Sequence, residues 1–247
     1  MHKSFAFLKN PKDNSKNNII FLDIDGVIQP YSQDSRFEHE LEKLPNYFAE
    51  KYGVLGYMES SNFINADHHT VFLDDINEEI RRNSKAPFVK NFRNNYEGGE
   101  LPIFALVEVF SFGTLSKFYK NMTNSDKKVV AKSFNIGYTY LESWLESISH
   151  VRNICAHYGR LYNAKLSKTP ILYKEYSQAG IGNNRIFGVL LCLKHILKND
   201  PHWNDFVDEI DVLVKKYKNV DIKTMGFPSN WKQLLKNTCR NGQYWLA

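Results

Sequence analysis

The feature that most restricts the fold of this chain is an apolar stripe at helical spacing between residues 138 and 162. Its members recur at intervals of three and four residues, which places them on one face of an α-helix. They are Leu141, Trp144, Leu145, Ile148, Val151, Ile154, Cys155 and Leu161. Similar repeats occur in most other parts of the chain, whereas only one segment has the composition of a β-strand. The sequence therefore predicts an all-α protein, a helical bundle with residues 138–162 as its central helix.

Helical spacing also predicts the other helices of the bundle. Capping and helix-breaking residues set their boundaries. The predicted helices are 37–52, one with Asp67 as its N-cap, one from residue 86 or 87 to residue 96, then 103–119, 126–134, 184–197 and about 206–217. His68 and His69, in the first turn after Asp67, are expected on the surface. Residues 166–183 contain one proline and two glycines and predict a long loop. A loop of this length beside a charged helix is more often functional or mobile than inert.

A polar stripe lies next to the apolar one on the predicted central helix. At 100° per residue, His150, Asn153, His157 and Arg160 share a face, and Arg152 lies beside it. Arginine offers a planar cation that fits phosphate oxygens, and histidine can transfer protons near neutral pH. The stripe therefore indicates a phosphate site. An ordinary solvated helix face with locally bonded histidines would give the same spacing.

The end of this helix resembles a known signature. Arg152 and Asn153, followed by three residues and His157, resemble the arginine, polar residue, three variable residues and histidine of the HEPN ribonuclease superfamily. The longer string 151–163 resembles the Abi-like family, abortive-infection proteins of bacteria. Segments 51–57, 108–116 and 225–231 also resemble that family, so the resemblance spans roughly residues 50–235.

This resemblance implies a HEPN-like helical bundle that cuts RNA without a metal or another cofactor. His157 would assist attack by the 2′-hydroxyl or protonate the leaving oxygen, Arg152 would stabilise the phosphorane charge, and Asn153 would orient the histidine or hold phosphate. Arg160 and His150 would contact the substrate. The implied function is phage defence by a metal-independent endoribonuclease, with RNA as its partner.

The two principal residues of the motif do not face one point. Arg152 and His157 are five positions apart, which is about 140° around one helix. Two copies of the motif across a two-fold axis would form a better site, and the superfamily resemblance likewise implies a homodimer. The small residues Ala156 and Gly159 would permit that close approach.

Glu108 lies within the predicted apolar helix 103–119. A buried carboxylate is unfavourable unless it is paired. Glu108 is therefore expected either to pair with a cation, best Arg152 or His157, or to face water at one edge of the helix. In the first case it would belong to the substrate-binding part of the site.

The N-terminal part has a different character. Residues 19–28 are an apolar run that predicts a strand and contains Asp23 and Asp25 followed by Gly26. Such a carboxylate pair suits a Mg²⁺ and phosphoryl site. The string resembles motif one of haloacid dehalogenase-like hydrolases, which would make Asp23 the nucleophile and Asp25 the acid/base. The later strands of such a hydrolase are not recognisable, so we interpret this as a vestigial Mg²⁺ site in an incomplete segment, 1–48, ahead of an Abi-like helical domain, 49–240.

Composition leaves the class of function open. The net charge of +5 permits nucleic-acid binding without requiring it. The three cysteines have no paired spacing, which argues against a disulfide framework and a zinc site. No apolar run is long enough for a membrane span, so a cytoplasmic protein without membrane contact or small-molecule cofactor is expected. Two alternatives to the ribonuclease are a non-catalytic RNA-binding or regulatory helical module and a Mg²⁺-dependent phosphatase that uses Asp23 and Asp25.

Overall fold

The computed structural model describes residues 41, 43–95, 98–157 and 159–236. Within these residues all regular structure is helical, apart from one isolated antiparallel bridge between Phe63 and Met122. The prediction of an all-α protein is therefore confirmed. The predicted strand at 19–28, with Asp23 and Asp25, lies outside the described residues.

The chain divides into two compact units. Among the described residues, the central unit ends at Ser149 and the C-terminal unit begins at His150. The helices of the central unit are α1 Lys43–Tyr52, α2 Ala66–Arg82, α3 Pro87–Asn95, α4 Ile103–Leu106, α5 Phe112–Asn121, α6 Asn124–Ser133 and the first part of α7 Tyr138–Ala156. Short 3₁₀ turns lie at Gly56–Met58, Ser60–Asn62 and Val107–Val109. The boundary between the units falls inside α7.

An aromatic cluster forms the core of the central unit. Phe118 on α5 is fully buried, and its ring centroid lies 4.9 Å from that of Phe48, 5.8 Å from Phe63 and 5.4 Å from Phe72. The edge-to-face and tilted geometries are those that aromatic quadrupoles favour. This cluster joins α1, α2 and α5 because each contributes rings from its apolar face.

His69 belongs to the same core, so its predicted surface position is wrong. Its side chain is 3% exposed, and its ring lies 4.7 Å from that of Phe63. Nε2 is 2.8 Å from the carbonyl oxygen of Tyr57, which gives the imidazole a polar partner in the core. The N-cap of α2 is Asn65 rather than Asp67, and its side chain accepts from the backbone N–H of His68. His69 lies three residues before Phe72 and seven before Ile76, so it shares the buried face of α2.

A buried carboxylate joins α1 to the start of α6. The Asp126 side chain is fully buried and accepts hydrogen bonds from the hydroxyls of Tyr47 (2.7 Å), Tyr52 (2.8 Å) and Thr123 (2.6 Å). Lys51 forms an ion pair with it. Burial alone would raise the pKa of Asp126, but these bonds outweigh it and lower the pKa to about 2. Asp126 is therefore held as a carboxylate.

The predicted helix 103–119 is wrong, because the chain is broken in its middle. After α4 and the 3₁₀ turn, Phe110 and Ser111 are extended, with ψ angles of 132° and 152°. The Ser111 hydroxyl accepts from the backbone N–H of Thr114 at 3.1 Å and so caps α5. A serine in an apolar run has here started a new helix.

The C-terminal unit is built around one buried helix. Its further elements are α8 Lys174–Gln178, α9 Ile186–Ile196, α10 Trp203–Lys216, a 3₁₀ turn at Ile222–Met225 and α11 Trp231–Leu235. Most residues of α9 are buried. Two side chains hold α11 in place: the indole N–H of Trp203 donates to the carbonyl of Leu235, and Lys194 donates to that of Leu234, both at 2.7 Å.

Candidate functional site

Helix α7 carries the predicted apolar stripe. The side chains of Leu141, Trp144, Leu145, Ile148 and Val151 are at most 1% exposed, as the spacing predicts. Burial of this stripe anchors the helix whose C-terminal end carries Arg152 and Asn153.

The helix ends at Ala156, so the prediction that it extends to residue 162 is wrong. The backbone N–H of His157 still donates to Asn153 at 3.1 Å, but that of Gly159 donates to Ile154 at 2.6 Å, five residues back. Such a bond closes a helix end. A Cβ at position 159 would lie 2.6 Å from Cγ2 of Ile154, so only glycine fits this turn. The small residue Gly159 thus packs against its own chain, which is not the role expected of it.

The turn separates the predicted polar stripe into two parts. Asn153 and His157 remain on one face, four residues apart, and both are exposed. Arg152 beside them is half-buried. Arg160 lies beyond the helix and is exposed, so helical spacing no longer places it on that face. The segment that resembles the ribonuclease signature therefore lies at the C-terminal end of α7, and Arg160 lies on the loop that follows.

His150, one turn earlier on α7, contacts that loop. Its Nε2 atom lies 3.1 Å from the hydroxyl oxygen of Ser167. This contact fixes the loop beside the helix at a point close in sequence to Asn153.

Arg185 holds the beginning of the loop and was not recognised from the sequence. Its Nη1 donates to the carbonyl oxygens of Asn163 (2.7 Å) and Ala164 (2.9 Å) and to the Asn163 side chain (3.2 Å). Asn163 has a φ of 53°, a left-handed conformation that asparagine tolerates. Gly226, with a φ of 88°, lies against the stem of this arginine, and a Cβ there would be 2.9 Å from Cβ of Arg185. The only sequence signal for this support is the length of the loop beside the charged helix.

Glu108 lies in the 3₁₀ turn Val107–Val109 and is exposed. Because this side chain is not buried, it does not require a cationic partner, and the structure matches the alternative in which Glu108 faces water.

No group of histidine, cysteine, aspartate or glutamate side chains suited to a metal ion is found where the structure describes the chain. Of the helices described, none is long and apolar enough to cross a membrane.

Comparison with models of protein families shows to which family the chain belongs. The model of a family described as Abi-like protein matches residues 26–163, more than half of the chain. The chain belongs to the Abi-like protein family. Comparisons with curated proteins and with solved structures give no significant match.

The Abi-like match includes the motif of α7, from Arg152 to His157, and extends to Asn163. It begins at residue 26, after Asp23 and Asp25 and before the predicted division at residue 48. The loop beyond residue 163, Arg185 and the Gly226 turn lie outside it. Residues outside the family match thus hold the loop that follows the matched segment.

Proposed function

We propose that this Abi-like protein is a metal-independent endoribonuclease that acts in phage defence and cuts RNA at the end of α7. The observation that carries the proposal is the position of Arg152, Asn153 and His157: they lie within the family match, at the C-terminal end of α7, with the amide and the imidazole exposed. RNA can reach side chains in that position, and their types suit phosphoryl chemistry.

His157 is the proton-transfer residue of this mechanism. Its imidazole takes the proton from the attacking 2′-hydroxyl or gives one to the leaving 5′-oxygen, and the products carry a 2′,3′-cyclic phosphate and a free 5′-hydroxyl. Asn153 lies one turn before His157 on the same face. In this mechanism it holds phosphate or orients the ring. Arg152 stabilises the charge that develops on the phosphorane.

A homodimer completes the site in this proposal. Because the backbone of His157 continues the helical hydrogen bonding, the angle of about 140° between Arg152 and His157 applies to the structure. A second copy, related by a two-fold axis, brings its Arg152 to the His157 of the first. Ala156 is half-buried at this end of the helix and leaves room for that approach.

The test is incubation of the purified protein with mixed cellular RNA in EDTA. We expect cleavage, cyclic-phosphate ends and a loss of about 10²- to 10⁴-fold in rate for His157→Ala, the range that general acid–base catalysis supplies. The matched control is His202→Ala, because His202 is an exposed histidine of the C-terminal unit outside the motif. A folded His157→Ala protein that cuts as fast as the parent would exclude this mechanism.

The alternative is a non-catalytic RNA-binding module. The divergent directions of Arg152 and His157 on one helix favour it, since a single copy then binds phosphate without assembling a catalytic pair. RNA binding by the folded parent in EDTA without cleavage would support this alternative.

A further inference from the structure

One of the basic segments of this protein contains both Arg152 and His157. Residues 150–174 contain five arginine and lysine residues and no aspartate or glutamate, so the formal charge of the segment, +5, equals that of the whole chain. The cations are Arg152, Arg160, Lys165, Lys168 and Lys174. Residues 80–96 also carry five cations and no carboxylate, but only 150–174 contains Arg152 and His157 as well. A basic stretch of this kind suits a polyanion.

Buried residues alternate with these cations beyond the end of α7. The buried side chains are Leu161, Leu166, Pro170 and Leu172. The exposed cations between and beside them are Arg160, Lys165, Lys168 and Lys174. The loop is therefore anchored at short intervals, and each anchor leaves a cation directed to solvent.

The residues just before α9 bind the backbone of the loop. The N–H of Leu166 donates to the carbonyl of Asn184 at 2.9 Å, and the side-chain amide of Asn183 donates to the carbonyl of Pro170 at 3.1 Å. Arg185 holds the carbonyl of Asn163. A loop fixed before the ligand arrives loses less conformational entropy on binding, which favours affinity.

The hydrogen bond between His150 and Ser167 places this loop beside the motif. Lys168 follows Ser167 directly and Lys165 precedes it by two residues. Both lysines are thereby held near His150, which lies one turn before Asn153 on α7.

We propose that Lys165 and Lys168 bind backbone phosphates of a single RNA strand next to the phosphate at His157. This inference rests on the proposed ribonuclease function, because RNA is taken as the ligand. A lysine ammonium binds phosphate as a point charge without base selectivity. Tyr162, half-buried between Arg160 and Lys165, adds an aromatic face of the kind on which bases stack. An anionic membrane is a less suitable ligand, because it would require several exposed apolar side chains. Among the described residues of the segment, Ile171 is the one large apolar side chain that is strongly exposed.

The experiment measures binding of a labelled single-stranded RNA of about 12 nucleotides by fluorescence anisotropy. It is done in EDTA with the His157→Ala protein, so that cleavage does not interfere. The double variant Lys165→Gln with Lys168→Gln is compared with Lys218→Gln with Lys223→Gln, which removes the same charge from exposed positions elsewhere in the unit. Unfolding curves establish that all variants fold.

We expect the slope of log K against log salt, from about 50 to 200 mM, to become less steep by about 1.4 in the first variant, or about 0.7 per lost phosphate contact. The affinity at the lowest salt should fall about tenfold. The Lys218 and Lys223 control should change the slope little. Equal slopes in the two double variants, or no RNA binding at all, would overturn the inference.

Two further arms separate this inference from the catalytic proposal and from a membrane. If the parent binds RNA with the expected lysine dependence but does not cut it, the binding surface stands and the ribonuclease fails. Vesicles that contain phosphatidylserine are the second arm. A lysine-dependent loss of vesicle binding with unchanged RNA binding would overturn the RNA assignment in favour of a membrane surface.

Discussion

The two units carry charge in two different ways. The central unit has the buried carboxylate of Asp126, and the C-terminal unit has the cations of residues 150–174. Asp126 is fully buried and accepts hydrogen bonds from three hydroxyls, while Lys51 supplies the opposite charge. Four of the five cations of the segment are exposed, and no acidic residue lies among them in sequence.

The difference separates a charge whose burial requires its partners from charges that lie mostly at the surface. A buried ion is tolerated only when hydrogen bonds and an opposite charge offset its lost hydration, so each partner of Asp126 is needed for stability. An exposed cation keeps its hydration and needs no such partner. We therefore expect substitutions at Asp126 to change folding and substitutions in 150–174 to change binding.

The largest effect is expected for Asp126→Asn. The amide cannot accept all the bonds that the carboxylate accepts, and Lys51 loses its counter-charge. Because the Lys51 side chain is 41% exposed, its ammonium can regain water, so the loss is smaller than for a fully buried pair. Urea unfolding should show a decrease of about 2 to 4 kcal/mol in the free energy of unfolding.

The matched control is Asp75→Asn, which removes the carboxylate of an exposed pair with Lys117 on the same unit. It should change stability by less than about 1 kcal/mol. Equal losses in the two variants would mean that burial does not distinguish these carboxylates.

Acid provides a second check. The pKa of Asp126 is lowered to about 2, so the stability that its carboxylate contributes is present above about pH 4 and is lost as the pH falls towards 2.

His195 on α9 extends the comparison to a titratable group that is kept neutral. It is 2.9 Å from the hydroxyl of Tyr176, and its ring lies 4.9 Å from that of Tyr173. Burial, with smaller effects from Lys194 and Lys198, lowers the pKa of His195 to about 4. The unfolded chain, with a histidine pKa of about 6.5, binds the proton more readily, so stability is fully present above pH 6.5 and falls between pH 6.5 and 4.

This loss should amount to about 2 to 3 kcal/mol. Urea unfolding at several pH values measures it, and an NMR titration of the His195 ring checks the pKa. His195→Gln should flatten this part of the pH profile, whereas His202→Gln, at an exposed position, should leave it unchanged. A parent protein of constant stability across this range would show that His195 does not titrate as its burial requires.

Much of the fold could be predicted from the sequence, because the helices depend on local apolar spacing. The stripe of α7 is an example: the periodicity of Leu141, Trp144 and Leu145 gave both the helix and its buried face. Breaks were harder to predict. Ser111 and Gly159 end or restart helices within apolar or amphipathic runs, and the effect of each depends on contacts with Thr114 and Ile154.

The candidate site was predictable only where it is local in sequence. Arg152, Asn153 and His157 lie within six residues, so their resemblance to the ribonuclease signature could be read directly from the sequence. Arg185 is 22 residues from Asn163, and only the folded chain brings them together. His69 was misplaced for a similar reason, since its partner Tyr57 lies in a separate 3₁₀ turn.

The smallest effects on stability are expected for Arg160→Gln and Lys165→Gln. Both side chains are exposed, and an exposed charge contributes little to folding, so each variant should unfold within about 0.5 kcal/mol of the parent. Urea unfolding beside Asp126→Asn measures the contrast. A loss above about 1 kcal/mol in either variant would mean that the loop cations hold the loop itself. Unchanged stability with weaker RNA binding would show that these two charges serve a ligand, since nothing in the fold then requires them.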